Sequence, residues 1–298
     1  MEDNRLAWAL VTAIAPVAWG STYFVTRQVL PPDAALWGGV IRCLPAGLLV
    51  LLLVRRVPRG SWWWRSLVLG TLTVGGLNVL VYIVAQRLPT SLASTLMSTS
   101  AAVMLLLSWL LLRQRPRLFA VLGALVGIVG VVVMLGPGAG PVDPWGVIAS
   151  IGAMLSSSLG FVLTAKWGAD ADVPPLSMTA WQLIAGSLVV LPFAVIFEGA
   201  APPALDPPAL VGFAYVILIA TALAYAAWFA GLSRLPGAVV GIVGLLNPVT
   251  GVVLGVFLAG EAFGPAQAIG LVLVLGGVLM GVLRPRARVP AVEGRAPM

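Results

Sequence analysis

Ten apolar stretches of roughly 18 to 22 residues follow one another along the chain, each long enough to cross a bilayer's hydrocarbon as a helix rising about 1.5 Å per residue. They run over 6–26, 35–54, 66–86, 91–112, 118–136, 145–165, 177–197, 209–230, 237–259 and 266–283. Breakers separate them: Pro31-Pro32, Pro58 with Gly60, Pro89, Pro116, the run Gly136-Pro137-Gly138-Ala139-Gly140-Pro141, Pro174-Pro175, Pro202-Pro203, Pro207-Pro208, Pro236 and Pro265. Hydrophobic residues make up 60% of the chain and charged ones 9%, against about 45–50% and about 25% in soluble domains. Within lipid the backbone must satisfy its own hydrogen bonds, so the expected fold class is an all-α polytopic membrane protein with ten transmembrane helices.

Ten spans in 298 residues leave only short connections, none able to fold around a core of its own. Cys43 is the single cysteine and histidine is absent, which argues against an internal disulfide, zinc clusters and a histidine proton shuttle. The expectation is a protein without metal or cofactor and not an enzyme; a polytopic membrane enzyme, the reading from another class, needs a catalytic cluster that the scattered acids do not form. The net charge of +7 sits where helices end, which fits membrane orientation and no nucleic-acid partner. With the N-terminus inside, 14 of the 17 Lys and Arg fall in inner segments, Arg27 and Arg87 fall outside, and Arg42 lies within a span. Both termini are thus expected in the cytoplasm of a multi-pass plasma (bacterial inner) membrane protein, with the first helix retained as an anchor.

An internal repeat organises the spans. Arg87-Leu88-Pro89 matches Arg234-Leu235-Pro236, and the offset of 147 continues through Leu107 and Leu254, Gly123 and Gly270, Gly130 and Gly277. Each half holds five helices, so the second half starts on the opposite side of the membrane and the repeats are inverted, an architecture of transporters. The expected division is 1–136, a hinge linker 137–144, 145–283, and a flexible basic tail 284–298.

Ala18-Trp19-Gly20-Ser21-Thr22-Tyr23-Phe24, the two Arg-Leu-Pro hairpins, Leu246-Asn247-Pro248-Val249, and Gly260-Glu261 with Gln267-Ala268-Ile269-Gly270 resemble the ten-helix EamA-type permeases of the drug/metabolite transporter superfamily. The resemblance spans about residues 6–283. Gln114 stands opposite Glu261 where many such proteins carry Glu at both positions. Length, tryptophan richness and Arg42 are similar to the aromatic amino-acid exporter branch, which implies amino-acid export by alternating access.

Polar groups at membrane depth should face the bundle interior or one another. Asn78 and Tyr82 lie one turn apart on one face of the third helix, and the offset of 147 sets them against Tyr225 and Phe229. Trp19, Thr22 and Tyr23 follow Pro16, a candidate hinge that frees carbonyls near residue 12. Arg42, about 10 Å inside its span, either attracts a substrate carboxylate or snorkels to the interface. Asn247-Pro248 offers a second hinge at Pro248 and a side-chain amide. Met97, Ser98, Ser157 and Gln182 complete the candidate lining, while Gly123, Gly127, Gly130, Gly270, Gly277 and Gly281 are read as scaffold or dimer contacts, the protein being a monomer or a homodimer.

No carboxylate lies at mid-membrane, since Asp33, Asp143, Asp170, Asp172, Glu198, Asp206 and Glu261 fall at ends or in loops. Facilitated diffusion or exchange of a small zwitterionic metabolite is therefore expected, with proton-coupled export of drugs or other metabolites as the alternative.

Overall fold

The computed structural model describes residues 2–136, 142–168 and 173–282. Most of the expected linker (137–141) and the tail 284–298 lie outside the described residues. Among the described residues ten helices cross the molecule: α1 Glu2–Gln28, α2 Ala35–Val54, α3 Trp62–Arg87, α4 Thr90–Leu112, α5 Leu118–Met134, α6 Pro144–Gly168, α7 Pro175–Phe197, α8 Pro207–Leu232, α9 in two pieces, Gly237–Gly244 and Leu246–Phe257, and α10 Pro265–Val282. No strand occurs among the described residues. Nine of these spans reach 18 residues; α5, at 17, stops short of its expected end at 136. Prolines open α6, α7, α8 and α10, where the missing N–H has no intrahelical acceptor to lose.

Side chains such as Leu53 and Phe257, 76% and 80% exposed, make an outward apolar surface of the kind a membrane-spanning bundle presents. The interior is knit by close helix approach. At Gly123 an added Cβ would lie 2.3 Å from the Gly277 carbonyl oxygen, and at Gly130 it would lie 2.7 Å from that of Gly270. Offset by 147, the first contact maps onto the second. These glycines therefore weld α5 to α10 inside one chain, the scaffold half of the expectation.

The same exchange maps the packing onto itself: α1 packs on α8 as α6 does on α3, and α1 on the second piece of α9 as α6 does on the end half of α4. Pro89 and Pro236 start α4 and α9 with nearly identical backbones, φ −54° and ψ 143° against φ −57° and ψ 138°. Each half also contains a π-helical segment, Thr71–Gly76 in α3 and Leu218–Leu223 in α8, again 147 residues apart. Near the first, Gly70 and Gly75 let α3 meet the backbone of α7 at Gln182 and Gly186.

Two indoles brace the antiparallel α2–α7 pair. Trp37 near the start of α2 donates Nε1–H to the Gly199 carbonyl just beyond α7, and Trp181 of α7 donates to the Arg56 carbonyl just beyond α2, at 3.1 and 2.6 Å. At the end of the bundle away from the chain termini, carboxylates cap helix N-termini, where the backbone dipole favours negative charge. Glu198 accepts from the Leu36 and Trp37 amides of α2, Asp143 from the Trp145 amide of α6, and Asp206 from the Ala209 amide of α8. Asp143 also pairs with Arg87 at 2.8 Å, and these bonds hold its carboxyl below the usual aspartate value.

Candidate functional site

Aromatic rings gather where α1 and α8 meet. The Trp19 ring lies 5.6 Å from Tyr225 and 5.4 Å from Trp228, and Tyr225 stacks on Phe229 one turn away at 6.3 Å. All four rings are half-buried. The edge of Trp228 reaches α9, since a Cβ on Gly244 would sit 3.6 Å from it. There α9 is interrupted at Leu245, three residues before the buried Pro248, whose ring excludes a continuous helical carbonyl ladder. Gly20, next to Trp19, packs on the Asn247 carbonyl, and the Asn247 Oδ1 is buried with no hydrogen-bond partner. The result is an aromatic wall with a buried, unpartnered amide oxygen on the neighbouring α9, groups suited to a ligand that offers a flat apolar group or ammonium and an N–H donor.

Other anticipated residues have structural partners. Tyr82 Oη donates to the Pro31 carbonyl at 2.6 Å while its ring fills the space above Gly38, tying α3 to the α1–α2 connection. Asn78 Nδ2 bonds back to the Val74 carbonyl at 2.9 Å. These two and Arg42 line a cavity of about 10 Å³, room for roughly one water. Arg42 Nε donates to Thr221 Oγ1 at 3.0 Å and Nη2 to the Ala220 carbonyl at 3.4 Å, so the guanidinium is held by the π segment of α8. Neither a substrate carboxylate nor the interface is needed to explain its place.

Thr22 bonds its own helix at Ala18, Tyr23 is buried against α3, and Ser157 bonds the Met154 carbonyl. Gln182 Oε1 accepts from Thr73 Oγ1 across the α3–α7 contact at 2.7 Å. α1 runs helical through the buried Pro16. Met97 and Ser98 are half-buried at the point where α4 is interrupted at Thr99. Trp228 was not anticipated, although its place three residues after Tyr225 puts it on the same helical face.

The α4–α9 seam differs along its length. In the half away from the termini, Glu261 accepts from the Thr90 amide, from the Ser91 amide at 2.9 Å and from Ser91 Oγ at 2.7 Å. Gly255 makes room for that carboxylate and Gly251 for Ser94, and every residue from Thr90 to Leu96 is buried. In the half toward the termini, Ser100–Leu112 contains no buried residue and packs on α6 and α5 rather than on Gly237–Gly244. A cavity of about 180 Å³ opens beside this half, lined by Ser98 and Thr99 of α4, Gly123 and Gly127 of α5, and Gly277 and Gly281 of α10. Gln114, the counterpart of Glu261, is exposed.

The same chain is similar to known proteins along nearly its full length. Protein PecM of Dickeya dadantii (strain 3937) is 35% identical over 266 residues, 89% of each chain. The inner membrane transporter YedA of Escherichia coli K12 is 26% identical, covering 90% of this chain and 88% of its own. A Salmonella typhimurium protein named a probable amino-acid metabolite efflux pump is 25% identical, covering 96% and 97%. A solved crystal structure superposes with a TM-score of 0.66 at 20% identity over 92% of this chain and 97% of that one, a likeness of fold. The model of the EamA-like transporter family matches residues 6–136 and 144–283, and the chain belongs to that family of membrane transporters.

Proposed function

We propose that the protein exports small neutral amino acids, aromatic ones included, or similar zwitterionic metabolites across a bacterial inner membrane by alternating access, with both termini in the cytoplasm. The uneven α4–α9 seam carries the reading: one end is packed shut by Glu261 and the glycine contacts while the other lies apart. Inverted halves can exchange these two arrangements, which turns an inward-facing chamber outward. The rings of Trp19, Tyr225, Trp228 and Phe229 beside Asn247 Oδ1 support a substrate with an apolar side chain and an ammonium group. The Salmonella relative's name points the same way. The described carboxylates sit at helix ends, which favours facilitated diffusion or exchange over a proton relay through the membrane.

Reconstitution into liposomes with a panel of labelled amino acids, with and without a pH gradient, tests this. Trans-substrate should accelerate uptake and the pH gradient should not. Trp19→Ala and Tyr225→Ala should each cut flux about tenfold or more, by removing ring contacts. Gly276→Ala, where a Cβ meets open space away from the lining of these cavities, should leave flux near wild type. Uptake that requires the gradient, or equal losses in all three variants, overturns the mechanism or the site respectively.

A further inference from the structure

The corner where α2 hands over to α3, at the termini end of the bundle, holds a cavity that the transport reading does not use. It encloses about 490 Å³ and is walled by Arg55, Arg56, Arg59, Trp62, Val173 and Trp181. Its backbone is held in place. The Trp181 indole grips the Arg56 carbonyl, the Trp62 and Trp181 rings lie 6.0 Å apart, and Arg55 closes α2 in the left-handed region at φ 49°. Arg65, one turn into α3, sits among the rings of Trp62, Trp64 and Trp167 at 5.5, 5.7 and 5.9 Å.

A second observation points to a ligand. The lining itself is basic and aromatic: three guanidinium side chains, Arg55, Arg56 and Arg59, share it with the indoles of Trp62 and Trp181, and such a pairing of charge with rings suits an anionic headgroup at the interface. The charge is set by sequence. Among the described residues that line the cavity there are three arginines, Arg55, Arg56 and Arg59, and no acid. Guanidinium forks bind phosphate oxygens in pairs, which makes phosphate the favoured anion.

Apolar surface continues to the cavity's edge. Leu52 and Leu53, just before Arg55, are 71% and 76% exposed, and Trp63 and Trp64 are exposed at the level where indoles anchor helices in the interface. We infer that this corner binds the phosphate headgroup of an anionic phospholipid from the surrounding bilayer, with hydrocarbon lying along the end of α2. The general bias of basic residues toward the inside does not account for it. Arg113, Arg115 and Arg117 carry equal charge in the α4–α5 connection, yet line neither this cavity nor the two described above.

The test is native mass spectrometry of the full chain with phosphatidylglycerol or phosphatidylcholine, alongside thermal unfolding in phosphatidylcholine nanodiscs. Wild type should retain phosphatidylglycerol roughly tenfold or more over phosphatidylcholine. The Arg55→Gln/Arg56→Gln/Arg59→Gln variant should lose that preference, and Arg113→Gln/Arg115→Gln/Arg117→Gln should keep it. Trp181→Phe retains every charge but releases the Arg56 carbonyl, and should lower retention several-fold even if the triple variant fails to fold. Equal loss in both triple variants would reduce the site to diffuse attraction. No preference in wild type, or displacement of the lipid by an equal concentration of glycerol 3-phosphate, would also overturn it, the last by revealing a soluble-anion site.

Discussion

The two halves of the α4–α9 seam, outer and inner in the proposed orientation, are built from corresponding stretches of the two repeats, yet only the half away from the termini is closed. The nearest chemical difference is one side chain. Glu261 bonds two backbone amides and a hydroxyl at the start of α4, whereas its counterpart Gln114 is exposed and carries no charge to set against the start of α9. By contrast, the α5–α10 glycine contacts obey the two-fold relation. The scaffold contact thus keeps the symmetry that the α4–α9 seam breaks.

The largest effect should come from wedging the closed half. A Cβ on Gly251 would lie 2.0 Å from Ser94 Oγ, so Gly251→Val should cost that half about 1–3 kcal/mol of packing while the α5–α10 weld keeps the fold. A Cys43→Ser chain carrying Ser98→Cys as reporter would show it. An impermeant maleimide should reach the reporter only from the termini side in the parent and from the outer side as well after Gly251→Val. Labelling of the parent from outside would reverse the assignment of the closed end.

Glu261→Gln should act in the same direction through electrostatics. Loss of hydrogen bonds to a charged acceptor costs about 1.5–3 kcal/mol, enough to raise outer labelling by about tenfold or more. The complementary change, Gln114→Glu, adds a carboxylate at the position repeat-related to Glu261 and should favour closing the inner half. A helix-terminus charge gives about 0.3–1 kcal/mol, so inner labelling should fall by a few-fold at most. If both variants move labelling in the same sense, the carboxylate is not what separates the halves.

The smallest effect concerns the other repeat-related pair. Arg87 binds Asp143, while its counterpart Arg234 stacks over the Trp8 ring at 4.0 Å. Because Asp143 titrates below its ordinary value of 3.8 in the folded chain, its contribution to stability is present above that value and fades as pH falls through the depressed one. The thermal midpoint of wild type should exceed that of Asp143→Asn slightly at neutral pH and converge with it in strong acid. A gap that persists in acid would mean that the ion pair is not its source.

Hydrophobic periodicity and breakers located the spans to within a few residues, because lipid imposes length and polarity on each segment separately. The offset of 147, seen in the Arg-Leu-Pro hairpins, extends to the π segments, which the sequence does not announce: the first ends in Gly75-Gly76, the second has no glycine. Partner choice was harder to read. Tyr82 and Asn78 share a face as expected, but where a hydroxyl or amide points depends on the helix opposite, and here Pro31 and Val74 supply the acceptors. The Trp37 and Trp181 braces escaped notice for the same reason, since each acceptor is a carbonyl beyond the end of another helix. Tyr225 and Phe229 were legible as counterparts of Asn78 and Tyr82, and Trp19 as a separate candidate on the first helix; the structure instead sets Trp19 against Tyr225 and Trp228.

Those paired indoles constrain how the molecule can move. Gripped at opposite tips, α2 and α7 cannot shift in axial register without pulling both nitrogens from their carbonyls at once. A ratchet of one element past another by a helical turn is thereby disfavoured, and the pair serves as a fixed strut. The remaining freedom is tilt about its length, so under the proposed alternating access this pair would rock rather than slide.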